Sequence, residues 1–253
     1  MDLGTALGLI GLGLVVGLYG TIIGAGGGFV MIPGLVILFD LQGATAVGTG
    51  AVALMVIGLT GAISYSRSGL VAWPIAAWFA VGSVPFALLS AWLLANRIDA
   101  DAFIGILGAL LLVLAVIVIT GRHQHRAGGD ELAPRPNRLL PAGALVGVTS
   151  GTFAVGGGLV TVPILERVQR MVPHRATATT SATAWASSLA GSAGHTIAGN
   201  VEWDTAGVLA AAAMAGSLTG ARVAGRLDAG IVRSLVAIGL VAAGIPLVVD
   251  ALS

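Results

Sequence analysis

Residues Gly17 to Leu35 read GLYGTIIGAGGGFVMIPGL, with Gly26, Gly27 and Gly28 in a row and Pro33 closing the motif. The stretch occurs twice. A shift of 130 residues lays it over GVTSGTFAVGGGLVTVPIL, so that Gly17 meets Gly147, Gly26 to Gly28 meet Gly156 to Gly158, and Pro33 meets Pro163. The same shift pairs Gly61 with Gly191, and Gly69, Val71 and Trp73 with Gly199, Val201 and Trp203. Glycine permits positive φ and close backbone approach, and proline interrupts a helix, so each copy reads as the tip of a helical hairpin with a broken returning arm.

The material around these tips is membrane material. Of 253 residues, 57% are hydrophobic and 9% charged, and the mean hydropathy of +1.00 belongs to no soluble class. Apolar runs at 3–23, 43–64, 73–95, 102–119 and 231–249 each approach the ~20 residues that cross a hydrocarbon core. They are continuously apolar, which excludes the alternating pattern of a membrane barrel. Cysteine is absent, and with it thiol chemistry and disulfides. No basic region precedes the first apolar run, so that run is expected to belong to the mature protein.

Residues 3–39 and 139–165 are short for two full spans each, which predicts hairpins of half-length helices that enter the membrane without crossing it. Three longer helices follow each hairpin, near 44–65, 72–95 and 102–120, and near 176–198, 205–222 and 231–250. The Arg-, Pro- and Gly-rich segment 121–140 reads as a solvated linker between a first repeat, 1–120, and a second, 141–253. Its His123 and His125 read as solvated side chains, and no metal or cofactor is expected. The expected fold is an all-α polytopic membrane protein of two inverted repeats, each a Gly-tipped hairpin plus three transmembrane helices, with 8–10 membrane segments in total.

The charges set the expected orientation. If each hairpin returns to its own side, eleven of the twelve arginines gather on one face and only Arg97 falls on the other, with Asp2, Asp40, Asp99, Asp101, Glu202, Asp204 and Asp250. A single crossing per hairpin would instead divide the arginines five against seven. The positive-inside rule selects the first scheme, which puts the linker in the cytoplasm, both termini outside and the two repeats upside down relative to each other. The tips then enter from opposite faces and can meet near the midplane, a common place for a transporter's substrate site.

Helix arms starting at Gly28 and Gly158 would aim unpaired N–H groups and positive dipole ends at that meeting point, an anion site that needs no buried arginine. Hydroxyls that could complete it include Thr21, Thr49, Ser150, Thr152, Thr161, Thr179, Thr180 and Ser181, with Tyr19 and Tyr65 as phenols. The competing reading is that such hydroxyls bond back to their own helix. Gly13/Gly17 and Gly20/Gly24, spaced by four, read as helix-packing positions. His195, at the repeat position of Tyr65, is a candidate for coupling protons to transport or a plain hydrogen-bonding residue. Trp73 and Trp203, at helix starts, read as interfacial anchors. A Ser150- or Ser181-based hydrolase lacks an acidic partner at membrane depth, so the chain is not expected to be an enzyme.

Taken as a set, the paired glycine segments each followed by proline, the segments Ala46-Val47-Gly48-Thr49 and Ala176-Thr177-Ala178-Thr179, and the two G-x-V-x-W motifs starting at Gly69 and Gly199 resemble the sulfite exporter TauE/SafE family of permeases. The resemblance spans nearly the whole chain. It implies an inner-membrane secondary transporter of small sulfur-containing anions such as sulfite, thiosulfate, sulfoacetate or other sulfonates, driven by an H+ or Na+ gradient. The resemblance carries over onto Gly26, Gly27, Gly28, Pro33, Thr49, Gly156, Gly157, Gly158, Pro163 and Thr179; the expected substrate-binding residues are these glycines and threonines, with Thr152 and Ser181 added from the hydroxyl reading above. The alternative is an anion channel of similar architecture. The expected partners are that anion and the lipid bilayer, with no nucleic acid.

Overall fold

A computed structural model describes residues 2–24, 26–41, 43–94, 97–120, 133–155, 157–224 and 229–252. Among them every regular element is a helix. Five precede residue 121: α1 (Leu3–Ile23), α2 (Gly28–Phe39), α3 (Gly43–Arg67), α4 (Trp73–Leu93) and α5 (Ala100–Thr120). Five follow residue 132: α6 (Pro136–Phe153), α7 (Thr161–Val168), α8 (Pro173–Ile197), α9 (Trp203–Ala224) and α10 (Ala229–Leu252). Leu3–Ile23, Gly43–Arg67, Trp73–Leu93, Ala102–Thr120 and Trp203–Ala224 are long and apolar enough to cross a membrane, and the chain is a polytopic membrane protein. The linker histidines His123 and His125 lie outside the described residues.

The repeat seen in the sequence is also written in backbone torsions. Six of the positive-φ residues fall in pairs 130 residues apart, Gly24 with Ala154, Asp40 with Arg170, and Gly69 with Gly199. Left-handed backbone costs a non-glycine residue roughly 1–2 kcal/mol, so Ala154 and Arg170 hold it because the chain path requires the same turn in both halves. Gly69 and Gly199 close their helices in one way. Leu70 N–H reaches Tyr65 O at 3.2 Å and Gly69 N–H reaches Ser66 O at 2.9 Å, while Asn200 and Gly199 reach His195 O and Thr196 O at 2.9 and 3.1 Å. That is a Schellman cap, and the glycine of each G-x-V-x-W motif is its left-handed residue.

The contacts between helices are largely unchanged when the halves are exchanged. α1 packs on α9 as α6 packs on α4, α3 on α9 as α8 on α4, and the pairs α3/α8 and α5/α10 map onto themselves. Equivalent helices run antiparallel: going up α3, Gly48, Gly58 and Gly61 face His195, Trp185 and Ser181, and Gly108 and Leu112 of α5 face Val248 and Gly244 of α10. Lipid gives apolar side chains no reason to associate, so close backbone approach must supply the attraction. At Gly13 a Cβ would come within 2.7 Å of the Ala212 Cβ and 2.8 Å of the Leu209 carbonyl oxygen, and at Gly17 within 2.8 Å of the Ala213 carbonyl carbon. Their repeat equivalents Gly143 and Gly147 press on Phe79 and Ser83 of α4 in the same manner. Gly13 and Gly17 are therefore packing glycines, as their spacing suggested.

Three boundaries differ from expectation. α1 has 21 residues and α6 has 18, so the outgoing arms are longer than half a span, whereas the returning arms α2 and α7 have 12 and 8. α6 begins at Pro136, inside the segment read as linker, because proline is well suited to a first helical position. α7 begins at Thr161 rather than Gly158, with 157–160 in turns, so the second arm starts three residues later than its counterpart at Gly28.

Candidate functional site

Both hairpin tips lie halfway along a central helix. A Cβ on Gly28 would lie 3.0 Å from Leu54 Cδ1, and one on Gly157 would lie 3.1 Å from the Ala184 Cβ. Leu54 is the twelfth of the 25 residues of α3, and Ala184 the twelfth of the 25 of α8. At ~1.5 Å per residue, each tip is about 17 Å from one end of its helix and about 20 Å from the other.

The tips also touch. A Cβ on Gly28 would overlap the carbonyl oxygen of Ala154 and lie 3.1 Å from its carbon. Ala154 is the left-handed cap of α6, its N–H bonded to Ser150 O at 2.8 Å. Gly24, the matching cap of α1, abuts Thr177 of α8, where a Cβ would come within 3.2 Å of the Thr177 Cα. Gly27 is packed against Val16, while Gly26 has open space on its Cβ side. Gly156 lies outside the described residues. Gly158 is buried and its carbonyl accepts Val162 N–H at 3.0 Å. Ala154, Leu54 and Ala184 could not be named from composition, although Ala154 occupies the repeat position of Gly24.

The side chains named from sequence divide into two groups. The first ties one half to the other. The Thr49 hydroxyl oxygen accepts Glu202 N–H at 3.1 Å, and the Thr179 oxygen accepts Ala72 N–H at 3.0 Å. Donors and acceptors are both 130 apart, so α3 and α8 each hold the residue before the tryptophan that opens the other half's long helix. Within each half, Tyr65 donates to Thr21 O at 3.0 Å and His195 Nε2 donates to Gly151 O at 2.8 Å, again 130 apart. Nε2–H facing a carbonyl leaves Nδ1 as the acceptor, and Asn200 Nδ2 stands 3.5 Å from it. His195 thus occupies the place of a phenol in a structural tie.

The second group shows how α8 disposes of its hydroxyls. Ser181, Thr183, Ser187 and Ser192 bond back to Thr177, Thr180, Thr183 and Leu189 carbonyls. Ser187 also meets Ser83 Oγ at 2.9 Å. Ser181 lies beside Gly61 of α3. Thr152 on α6, Thr161 at the start of α7 and Thr180 on α8 are buried with no partner for Oγ1 among the described residues. Trp73 and Trp203 are both exposed at helix starts, as interfacial anchors should be.

The family model for the sulfite exporter TauE/SafE family matches residues 9–247, nearly the whole chain. The chain belongs to the sulfite exporter TauE/SafE family. Among its relatives, the probable membrane transporter protein YunE of Bacillus subtilis is 26% identical over 264 aligned residues, covering 96% of this chain and 97% of YunE. The probable membrane transporter protein MJ0441 of Methanocaldococcus jannaschii is 29% identical over 165 residues, 62% of this chain and 60% of that protein. A probable membrane transporter protein of Xylella fastidiosa is 33% identical over 98 residues, 38% of this chain and 37% of its own length. No solved structure is a significant match. This TauE/SafE member is thus related along most of its length to membrane transporters, and the tips, ties and orphaned hydroxyls lie inside the matched region.

Proposed function

We propose that the protein is a secondary transporter of a small sulfur-containing anion, sulfite, thiosulfate or a sulfonate, bound where the two hairpin tips meet and moved by alternating access. The observation that carries this reading is the seating of Gly28 on the Ala154 carbonyl, with both tips beside the midpoints of α3 and α8. Irregular backbone at that depth survives only where protein or a water-filled cavity surrounds it, and half-helix N-termini directed there favour an anion. Gly26, Gly27, Gly28, Gly157 and Gly158 supply the backbone of the site. Thr152 and Ser181 border it, and Thr49 and Thr179 tie together the halves that rock around it.

The antiparallel course of α3 and α8 supports two halves inserted with opposite orientation in the inner membrane, the termini outside and the arginine-rich linker in the cytoplasm. The ties at Thr49 and Thr179 each join one central helix to the other half. The test is flux of 35S-labelled sulfite into proteoliposomes under imposed proton or sodium gradients. Uptake above the equilibrium level when a gradient is present is expected. Flux that only dissipates the sulfite gradient would make the protein a channel, and no sulfite flux would remove the substrate assignment.

A further inference from the structure

The two tips are not chemically equal. α7 and α8 pack in antiparallel register: Gly157 faces Ala184, and Leu165 shares a buried cluster with Ala176. Thr161, the first residue of α7, and Thr180, one turn of α8 before Ala184, lie between those two pairs in the sequence. In the first half a Cβ on Gly50, the counterpart of Thr180, would lie 2.7 Å from Cδ1 of Ile32 and 3.4 Å from Cγ of Met31, the counterparts of Val162 and Thr161, so the matching positions are neighbours there. Where the first half places a methionine over a glycine, the second places two hydroxyls.

Both hydroxyls are fully buried, at 0% exposure, and neither has a partner among the described residues. This is exceptional for α8, whose other buried hydroxyls bond back to a carbonyl or accept a backbone N–H. Thr161 is also the first residue of α7. The N–H of its counterpart Met31 bonds to Gly27 O at 2.9 Å, but no such bond forms from Thr161 N–H among the described residues. The late start of α7 therefore leaves the Thr161 N–H and two buried hydroxyls on the helix pair beside the second tip. Buried polar groups left unpaired cost free energy, and a sequence that could have placed Met and Gly there, as its own first half does, bears that cost twice.

We infer that the anionic head of the substrate is held on one side only, by the hydroxyls of Thr161 and Thr180 and the N–H of Thr161, while the first tip contributes shape without side-chain donors. This rests on the transporter reading above and sharpens it. Neutral hydroxyl donors with a helix N-terminus and no fixed cation suit a small oxyanion that must be released as well as bound.

The experiment is calorimetric binding of sulfite and of isethionate to the purified full-length protein, with Thr161→Val, Thr180→Val, the serine variants at both positions, and Met31→Leu as the control in the other half. Each valine variant is expected to weaken binding about tenfold or more, the loss typical of a removed hydrogen bond to a charged group. The serines retain affinity, and Met31→Leu is silent. The valine variants are also expected to melt at or above the wild-type temperature without anion, since an unpaired buried hydroxyl has been replaced by a methyl; this separates lost binding from lost folding. Wild-type affinity in both valine variants would overturn the inference and leave the transporter reading standing. No binding of either anion by the wild type would overturn both.

Discussion

Replacing Gly28 with alanine adds one methyl group at the place where the tips meet. That methyl would overlap the Ala154 carbonyl oxygen, lie 3.1 Å from its carbon and 3.0 Å from Leu54 Cδ1. Leu54 can change rotamer, but the Ala154 carbonyl is backbone in the left-handed turn that ends α6, so relieving the contact means moving the chain. Ordinary carbon to oxygen contact needs more than 3 Å, so the two tips must separate. Overpacking of this kind typically costs about 1–3 kcal/mol, a loss that a folded chain tolerates. A site assembled from both tips would not tolerate the shift, since ~1 Å of misplacement alone can cost a catalytic or binding constellation about a hundredfold. Proteoliposome transport should therefore fall by about that factor while the melting temperature drops modestly. Gly11→Ala, with open space on its Cβ side, is the control and should change neither. Wild-type flux in Gly28→Ala would refute the idea that tip contact matters to transport.

Further expectations follow from the ties and the packing. Thr49→Val and Thr179→Val each strand a backbone N–H, of Glu202 and Ala72, and should each destabilise by about 1–3 kcal/mol in chemical unfolding; an effect confined to one of them would deny their equivalence. His195→Gln keeps a donor for Gly151 O and should retain stability that His195→Leu loses, with the pH profile of transport unchanged in the glutamine variant; loss of pH dependence there would make His195 a proton carrier instead. Gly17→Val and Gly147→Val should block folding of the α1/α9 and α4/α6 pairs, seen as aggregation on size exclusion, whereas Gly207→Val, facing open space, should behave as wild type.

Much of this architecture was legible in the chain because the repeat is nearly exact in its backbone demands. Gly69 and Gly199 stood out as repeat partners, though the caps they close were seen only in the backbone, and Gly13 and Gly17 announced a close helix pair through spacing alone. The tip glycines were legible because three in succession cannot sit inside a helix. The start of α7 was not: Gly158 and Gly28 are identical in sequence, yet α7 begins three residues later than its counterpart. The roles of Thr49 and Thr179 were also hidden, since nothing in a threonine says whether its oxygen accepts an N–H from the other half of the protein. His195 was recognisable as the counterpart of Tyr65, but the carbonyl that makes both of them ties lies 44 residues away on another helix.

The central claim is that a small sulfur anion binds at the meeting tips. The most direct measurement is the thermal shift of purified wild type and Gly157→Leu across sulfite, thiosulfate, sulfoacetate, isethionate, taurine, sulfate and chloride. Gly157 lies against Ala184, so leucine fills the space beside the second tip. The account predicts selective stabilisation of the wild type by one or more sulfur anions and none in Gly157→Leu. Equal stabilisation of both proteins, or stabilisation of the wild type by none of these anions, would contradict it.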